Sequence, residues 1–297
     1  MRFALFRNVV VLCLAALLSG CNFGVLSPAG PVGSADATIM LDSLAIMLAI
    51  VVPTIIAVLV FAWWFRESNM RARYMPDFVY SGRLELVVWS IPILVIMFLG
   101  GIIWVGSHEL DPYRPLRSII KPMDVQVVSL DWKWLFIYPH EGVASVNDLV
   151  VPAGTPIHFY LTSASVMNAF FVPRLGSMIY TMNGMVTQLH LEASHVGEFH
   201  GLSAHFSGDG FPGMQFTVHA VSPAAFGQWV RAAKSRGPTL DAQAYLALEQ
   251  QSSDVPPMTF SAVMPHLFHQ IATQALPPGT GPKNGEPTSD ARPVAEK

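Results

Sequence analysis

Residues 44–65 and 86–105 carry no charged side chain. At about 1.5 Å of rise per residue, each stretch reaches the roughly 30 Å of a bilayer's hydrocarbon layer. They predict two membrane-spanning helices, placed at 44–65 and 84–106. Pro53 and Pro92 fall inside them, which membrane helices tolerate when packed neighbours satisfy the freed carbonyls. Trp63, Trp64, Trp89 and Trp104 lie at or near the ends, where an amphipathic ring suits the interface. An earlier apolar run, 9–18, is too short to span and follows Arg2 and Arg7, the order of an export signal. From 124 to 220 the pattern changes to short β-rich runs at 125–130, 135–138, 148–151, 157–162, 186–191 and 214–218, parted by turn residues. Such spacing over about 100 residues suggests a Greek-key sandwich, although pattern alone does not choose among sandwich topologies. Residues 224–236 and 240–250 then read as helices, and 275–297, rich in proline, glycine and charge, as a disordered tail.

Charge fixes the topology. The loop 66–83 holds Arg66, Arg71, Arg73 and Arg83, whereas 22–43 holds no lysine or arginine, so the loop is cytoplasmic and both flanks lie outside. The expected order is leader 1–20, outer segment 21–43, span 44–65, loop 66–83, span 84–106, outer β domain 107–222, helical region 223–274 and tail 275–297. Only 12% of the 297 residues are charged, about half the share in an ordinary soluble domain, as lipid burial requires. The formal net charge of -3 is too small and mixed to suggest nucleic acid as a partner.

Both cysteines, Cys13 and Cys21, lie near the N-terminus, leaving no thiolate for a disulfide or metal site downstream. Leu18-Ser19-Gly20-Cys21 follows the charged head and apolar core of the leader, and resembles the lipobox of bacterial lipoproteins. That resemblance implies cleavage before Cys21 and acylation of it.

Four segments, LELVVWSIPI (84–93), SLDWKWLFIYP (129–139), SVMNAFFVPRLGSMIYTMNGM (165–185) and FSGDGFPGM (206–214), occur in order and resemble subunit II of the haem-copper oxidases, most closely the cytochrome bo-type ubiquinol oxidases. The resemblance implies a membrane-anchored, all-β architecture: a two-helix hairpin, a cupredoxin-like sandwich and a short helical C-terminal extension. It implies a bacterial inner-membrane protein with its C-terminal domain in the periplasm. The expected partners are the bilayer, a catalytic subunit I carrying haems and copper, further small membrane subunits, and quinol through subunit I. No cofactor is expected in this chain.

In cytochrome c oxidases of this family, the domain holds two coppers through one histidine before a VPxLG segment and a later Cys-x-Glu-x-Cys-x-x-x-His-x-x-Met loop. Registering on Val172-Pro173-Arg174-Leu175-Gly176 puts Asn168 at the first histidine, and in the later loop Gly201-Leu202-Ser203 puts Ser203 and Ser207 at the cysteines, His205 at the glutamate, Phe211 at the second histidine and Met214 at the methionine. Only the methionine survives. Hydroxyl and amide oxygens are hard, weak donors compared with bridging thiolate and imidazole, so no copper is expected, and quinol oxidised in subunit I becomes the electron donor. The expected role is thus the non-redox subunit II of a proton-translocating quinol oxidase, with no complete active site of its own.

Glu85, at the cytoplasmic end of the second span, is the proton-uptake candidate, because an ionisable group near lipid often serves proton movement; the matching glutamate in related oxidases lies at a channel mouth. The alternative is an interfacial carboxylate paired with Arg83. Trp132 and Trp134 read as packing residues. A different reading makes the chain a membrane-anchored copper-delivery or metal-binding lipoprotein using His190, His195, His200, His205 and His219. The five-residue steps at 195, 200 and 205 would put neighbours on opposite faces of an unbroken strand, which favours satisfied or solvent-facing rings.

Overall fold

A computed structural model describes residues 24–276 and Gly279; the leader, Cys21 and most of the tail lie outside the described residues. The described chain divides into a helical unit, Ala37–Asp111, and a β unit formed by the residues before it together with those from Pro112 onward.

The helical unit is built on α1 (Pro31–Trp64) and α2 (Gly82–Glu109), with Pro53 and Pro92 inside them. Each helix is long and apolar enough to cross a membrane, and the most apolar window of each buries none of its side chains against the rest of the chain. Phe61, Leu59, Trp89 and Ile96 are all well exposed, a display of apolar surface that water penalises and lipid or a partner helix does not. Gly106 and Ile39 bring the helices together: a Cβ at Gly106 would lie 2.7 Å from the Ile39 Cδ1 atom. The first helix begins at Pro31, well before the expected start at 44. Proline is well suited to a first helical turn, and the Ser34 hydroxyl donates back to the Gly30 carbonyl at 2.9 Å.

The β unit is a sandwich. Its strands are β1 (Met123–Leu130), β2 (Lys133–Tyr138), β3 (Val143–Val146), β4 (Asp148–Pro152), β5 (Ile157–Ser163), β6 (Asn168–Phe171), β7 (Ile179–Thr181), β8 (Thr187–Leu191), β9 (Gly197–Ser203) and β10 (Gln215–Val221), followed by the short β11 (Thr239–Leu240), β12 (Met258–Phe260) and β13 (Ala262–Val263). One sheet runs β12-β3-β2-β1-β5-β8 and the facing sheet β4-β10-β9-β6-β7. Most neighbours are antiparallel, but β1 pairs with β5 and β10 with β4 in parallel, each partner reached by a crossover. All six anticipated strands are present. Among those not anticipated, β3, β6 and β7 are short, whereas β9 spans seven residues but contains Gly197 and Gly201.

Between the sheets, Trp134 meets Phe170 and Phe216 edge-on at 5.4 and 5.6 Å, and Phe170 stacks on Phe216 at 5.1 Å. The outer face of the six-stranded sheet is covered as well. Val128, Leu130, Leu135, Ile137, Ala144 and Val146 pack against Leu240, Tyr245, Phe260, Leu267, Phe268 and Ile271. These come from the C-terminal region, which contains α3 (Pro223–Arg236), α4 (Ala242–Glu249) and α5 (Leu267–Ala272). Side chains on a strand alternate between faces, so β2 is buried at every residue because each of its faces has a cover.

Candidate functional site

The candidate site lies where three pieces of chain meet: the β1–β2 hairpin, the start of β6, and the loop from the end of β9 to Met214. The hairpin connection is only Asp131 and Trp132, since Leu130 pairs with Lys133. Trp132 takes φ 68°, a left-handed conformation that bulky residues rarely adopt and that persists only when surroundings over-determine it. Two contacts do so. Its Nε1–H donates to the Ser207 carbonyl at 3.0 Å, and its ring lies so close to Gly210 that a Cβ there would collide with the indole.

Asn168, Ser203, Ser207 and Met214 are all buried. The Ser203 hydroxyl donates to Asn168 Oδ1 at 3.0 Å, and Asn168 donates to the Val166 carbonyl at 3.3 Å. Ser207 Oγ lies 3.9 Å from the Met214 sulfur. These four positions lie together, the Ser203 N–H also donating to the Met214 carbonyl at 3.2 Å. The other two are not part of the buried set: His205 is turned outward, its Nδ1 2.9 Å from the Phe206 carbonyl, and Phe211 packs edge-on against the largely exposed Phe206. The donors gathered here are an amide, two hydroxyls and a thioether, all neutral and already hydrogen-bonded, Ser203 to Asn168 and Ser207 to the Met214 sulfur. They do not fit a dinuclear copper centre, which needs bridging thiolates and imidazole.

Beneath the hairpin lies a charged group that sequence reasoning did not single out. Lys133 is 1% exposed, and its ammonium donates to the Gln250 carbonyl at 2.7 Å, to Ser252 Oγ, and to the Asp131 carbonyl at 3.3 Å. Burial pulls the Lys133 ammonium down to about 8, with the Asp131 carboxylate acting in the other direction. Asp131 accepts from Ser165 and from Gln251 Nε2. Through these bonds, the hairpin that carries Trp132 is fastened to the C-terminal region at 250–252. Only an interior lysine between aromatic strand residues hinted at this in the sequence.

The histidines do not assemble. His190 on β8 points Nδ1 at the Pro112 carbonyl, 3.0 Å away. His219 lies 3.0 Å from Asp148 and 3.4 Å from Glu198; burial raises the Asp148 carboxyl, Glu198 adds to this, and His219 opposes it. His195 meets Phe199 edge-on. The strand at 197–203 contains His200 but neither His195 nor His205, which lie just beyond its two ends. Among the described residues, no group of three His, Cys, Asp or Glu side chains could hold a metal ion. Glu85 lies in the first turn of α2, and Trp132 and Trp134 are both buried.

Residues 124–221 match the family model described as "Cytochrome C oxidase subunit II, periplasmic domain", and 234–279 match "COX Aromatic Rich Motif". The "Cytochrome bo(3) ubiquinol oxidase subunit 2" of Pseudomonas aeruginosa is 48% identical over 260 residues, covering 88% of this chain and 78% of the relative. The "Ubiquinol oxidase subunit 2" of Acetobacter aceti is 48% identical over 262 residues, covering 88% and 85%. A "Quinol oxidase subunit 2" of Bacillus anthracis is 35% identical over 258 residues, covering 86% and 88%. With this identity extending over most of the chain and of each relative, the chain belongs to the subunit 2 family of the quinol oxidases, and is a subunit of an oxidoreductase complex.

Proposed function

We propose that this chain is the non-redox subunit II of a proton-translocating quinol oxidase in a bacterial inner membrane. It supports a subunit I that carries the haems and copper and oxidises quinol within the bilayer. The observation that carries this reading is the Ser203–Asn168 hydrogen bond, which stands where a copper domain would offer soft ligands. A domain without thiolate or converging imidazole has no means to pass electrons from a soluble donor, so the donor must reach the partner subunit directly. The copper-delivery reading is not favoured, because the relatives are oxidase subunits and the histidines already serve separate partners.

Two finer roles belong to the same reading. Glu85 opens the second span at the cytoplasmic side and delivers protons towards the partner's interior. Cys21 carries the lipid anchor. The decisive experiment is mild detergent extraction followed by affinity purification of the tagged full chain. A multi-span, haem-bearing partner should appear, and the preparation should oxidise quinol with oxygen but not reduced cytochrome c. Isolation of the chain alone, or cytochrome c oxidation, would overturn the reading.

A further inference from the structure

The register of the six-stranded sheet builds a second titratable cluster, far from the loop at 203–214 in sequence and separate from it in composition. Asp124 on β1 pairs with His158 on β5, and His158 with His190 on β8. All three side chains therefore stand side by side on the outer face. His158 and His190 stack, with ring centres 4.2 Å apart and planes within 18°. His158 Nδ1 lies 3.5 Å from Asp124 Oδ1, and its Nε2 lies 2.9 Å from Gln188 Oε1. His140, from the β2–β3 turn, approaches the other Asp124 oxygen at 3.1 Å. Tyr160 closes the far side, its ring 4.1 Å from His158. His190 Nδ1 faces the carbonyl of Pro112, just past the end of α2 at Glu109.

We propose that Asp124, His158 and His190 form a proton-sensitive latch that fastens the chain at Pro112 to the sandwich and releases it when the outside solution turns acid. The inference stands on this geometry and does not depend on the reading of the copper loop. A carbonyl only accepts, so His190 Nδ1 carries a proton and holds Pro112 while the ring is neutral. His158 has an acceptor at each nitrogen, one of them a carboxylate. Protons on both stacked rings would set two cations face to face. The Asp124 carboxylate is already shared between His158 and His140.

Burial also pulls His190 below the ordinary histidine value; the Pro112 carbonyl acts against this, His158 adds to it, and Asp124 opposes it. The released ring, in water, takes a proton more readily than the latched one. Acid therefore favours release, and the latch weakens as pH falls below about 6.5. The facing titratable groups are Asp124, His140, His158 and Tyr160; the charged neighbours of Pro112 along the chain are Asp111 and Arg114.

The test is backbone hydrogen exchange, read by mass spectrometry on the full chain in lipid nanodiscs at pH 7.5 and 5.5, with intrinsic rates normalised. In the wild type, the amides of Tyr113, Arg114, Leu116, Arg117 and Ser118 should exchange several-fold faster at the lower pH, while strand β10 stays protected. In His190→Gln, which can still donate to the Pro112 carbonyl but takes no proton, that ratio should fall to about one. His158→Gln removes the stacked imidazole and should lower the ratio while leaving the latch closed at pH 7.5. Equal normalised exchange at both pH values in the wild type overturns the proposal, as does an unchanged ratio in His190→Gln.

Discussion

The Ser203 hydroxyl donates to the Asn168 side-chain carbonyl at 3.0 Å, joining β9 to the start of β6. Family resemblance assigns these positions to a cysteine and a histidine in copper-bearing subunits. Here a neutral hydrogen bond fills the space between them, and the backbone needs no metal to hold it closed.

Restoring soft donors at those positions should restore metal. In the full chain, Asn168→His, Ser203→Cys, His205→Glu, Ser207→Cys and Phe211→His, beside Met214, are expected to bind about two coppers per chain, with the intense visible absorption of a mixed-valence pair bridged by thiolates. The wild type should stay colourless under the same loading. A folded five-fold variant without copper would show that the register of this loop is wrong.

Gly210 makes room for Trp132, so Gly210→Val should displace the indole and cost about 1–3 kcal/mol in thermal or denaturant unfolding, the usual range for overpacking. Gly227 in α3 is the control. A Cβ there would meet only the Arg231 guanidinium, at 3.6 Å, and Gly227→Ala should stabilise by about 0.5–1 kcal/mol through helix propensity. Similar effects from the two substitutions would contradict the close approach at Trp132.

Lys133 gives the β unit a basic-side pH dependence. Its ammonium is held down to about 8 by burial, whereas the unfolded chain keeps the ordinary value near 10.4. Between those values the unfolded state binds more protons, so this group's contribution to stability rises with pH across the window. Melting temperatures of the wild type should carry that increment from pH 8 to 9.5, and Lys133→Met should lose it. The variant should also be less stable at pH 7, because Gln250 and Asp131 lose a buried donor.

Glu85→Ala should slow oxygen reduction by the assembled complex several-fold, with Glu85→Asp retaining more activity, since a titratable group near that place is what proton entry requires. Turnover per haem measures this. Equal rates in wild type and the alanine variant would leave Glu85 as a helix-start carboxylate, favourable there for its charge alone.

Cys21→Ser should abolish labelling by a radioactive or clickable fatty acid while the chain remains in the membrane fraction after a carbonate wash. Two apolar helices hold it more firmly than an acyl chain does. Appearance of the variant in the soluble fraction would contradict that.

The sequence by itself determined what local periodicity and length can encode. Uninterrupted apolar stretches marked the two helices, arginines in one loop gave their expected direction, and alternation marked six strands of the sandwich. The family resemblance, registered at 172–176 and at 201–203, pointed to Asn168, Ser203, Ser207 and Met214, which lie together in the fold. His205 and Phe211 belong to the same register but lie outside the buried set, His205 against the Phe206 carbonyl and Phe211 against the Phe206 ring, because spacing along a loop does not fix side-chain direction. Nor does the sequence reveal why β2 is buried throughout: its second cover comes from Tyr245, Phe260 and Phe268, more than 100 residues further along. The histidines make the same point. Read along the chain, attention fell on rings five residues apart between 195 and 205, whereas strand register set His158 against His190 and Asp124 across three strands. Local pattern follows from each residue's neighbours in the chain, but register, cover and the partner of a buried charge come from long-range pairing, which only the tertiary structure decides.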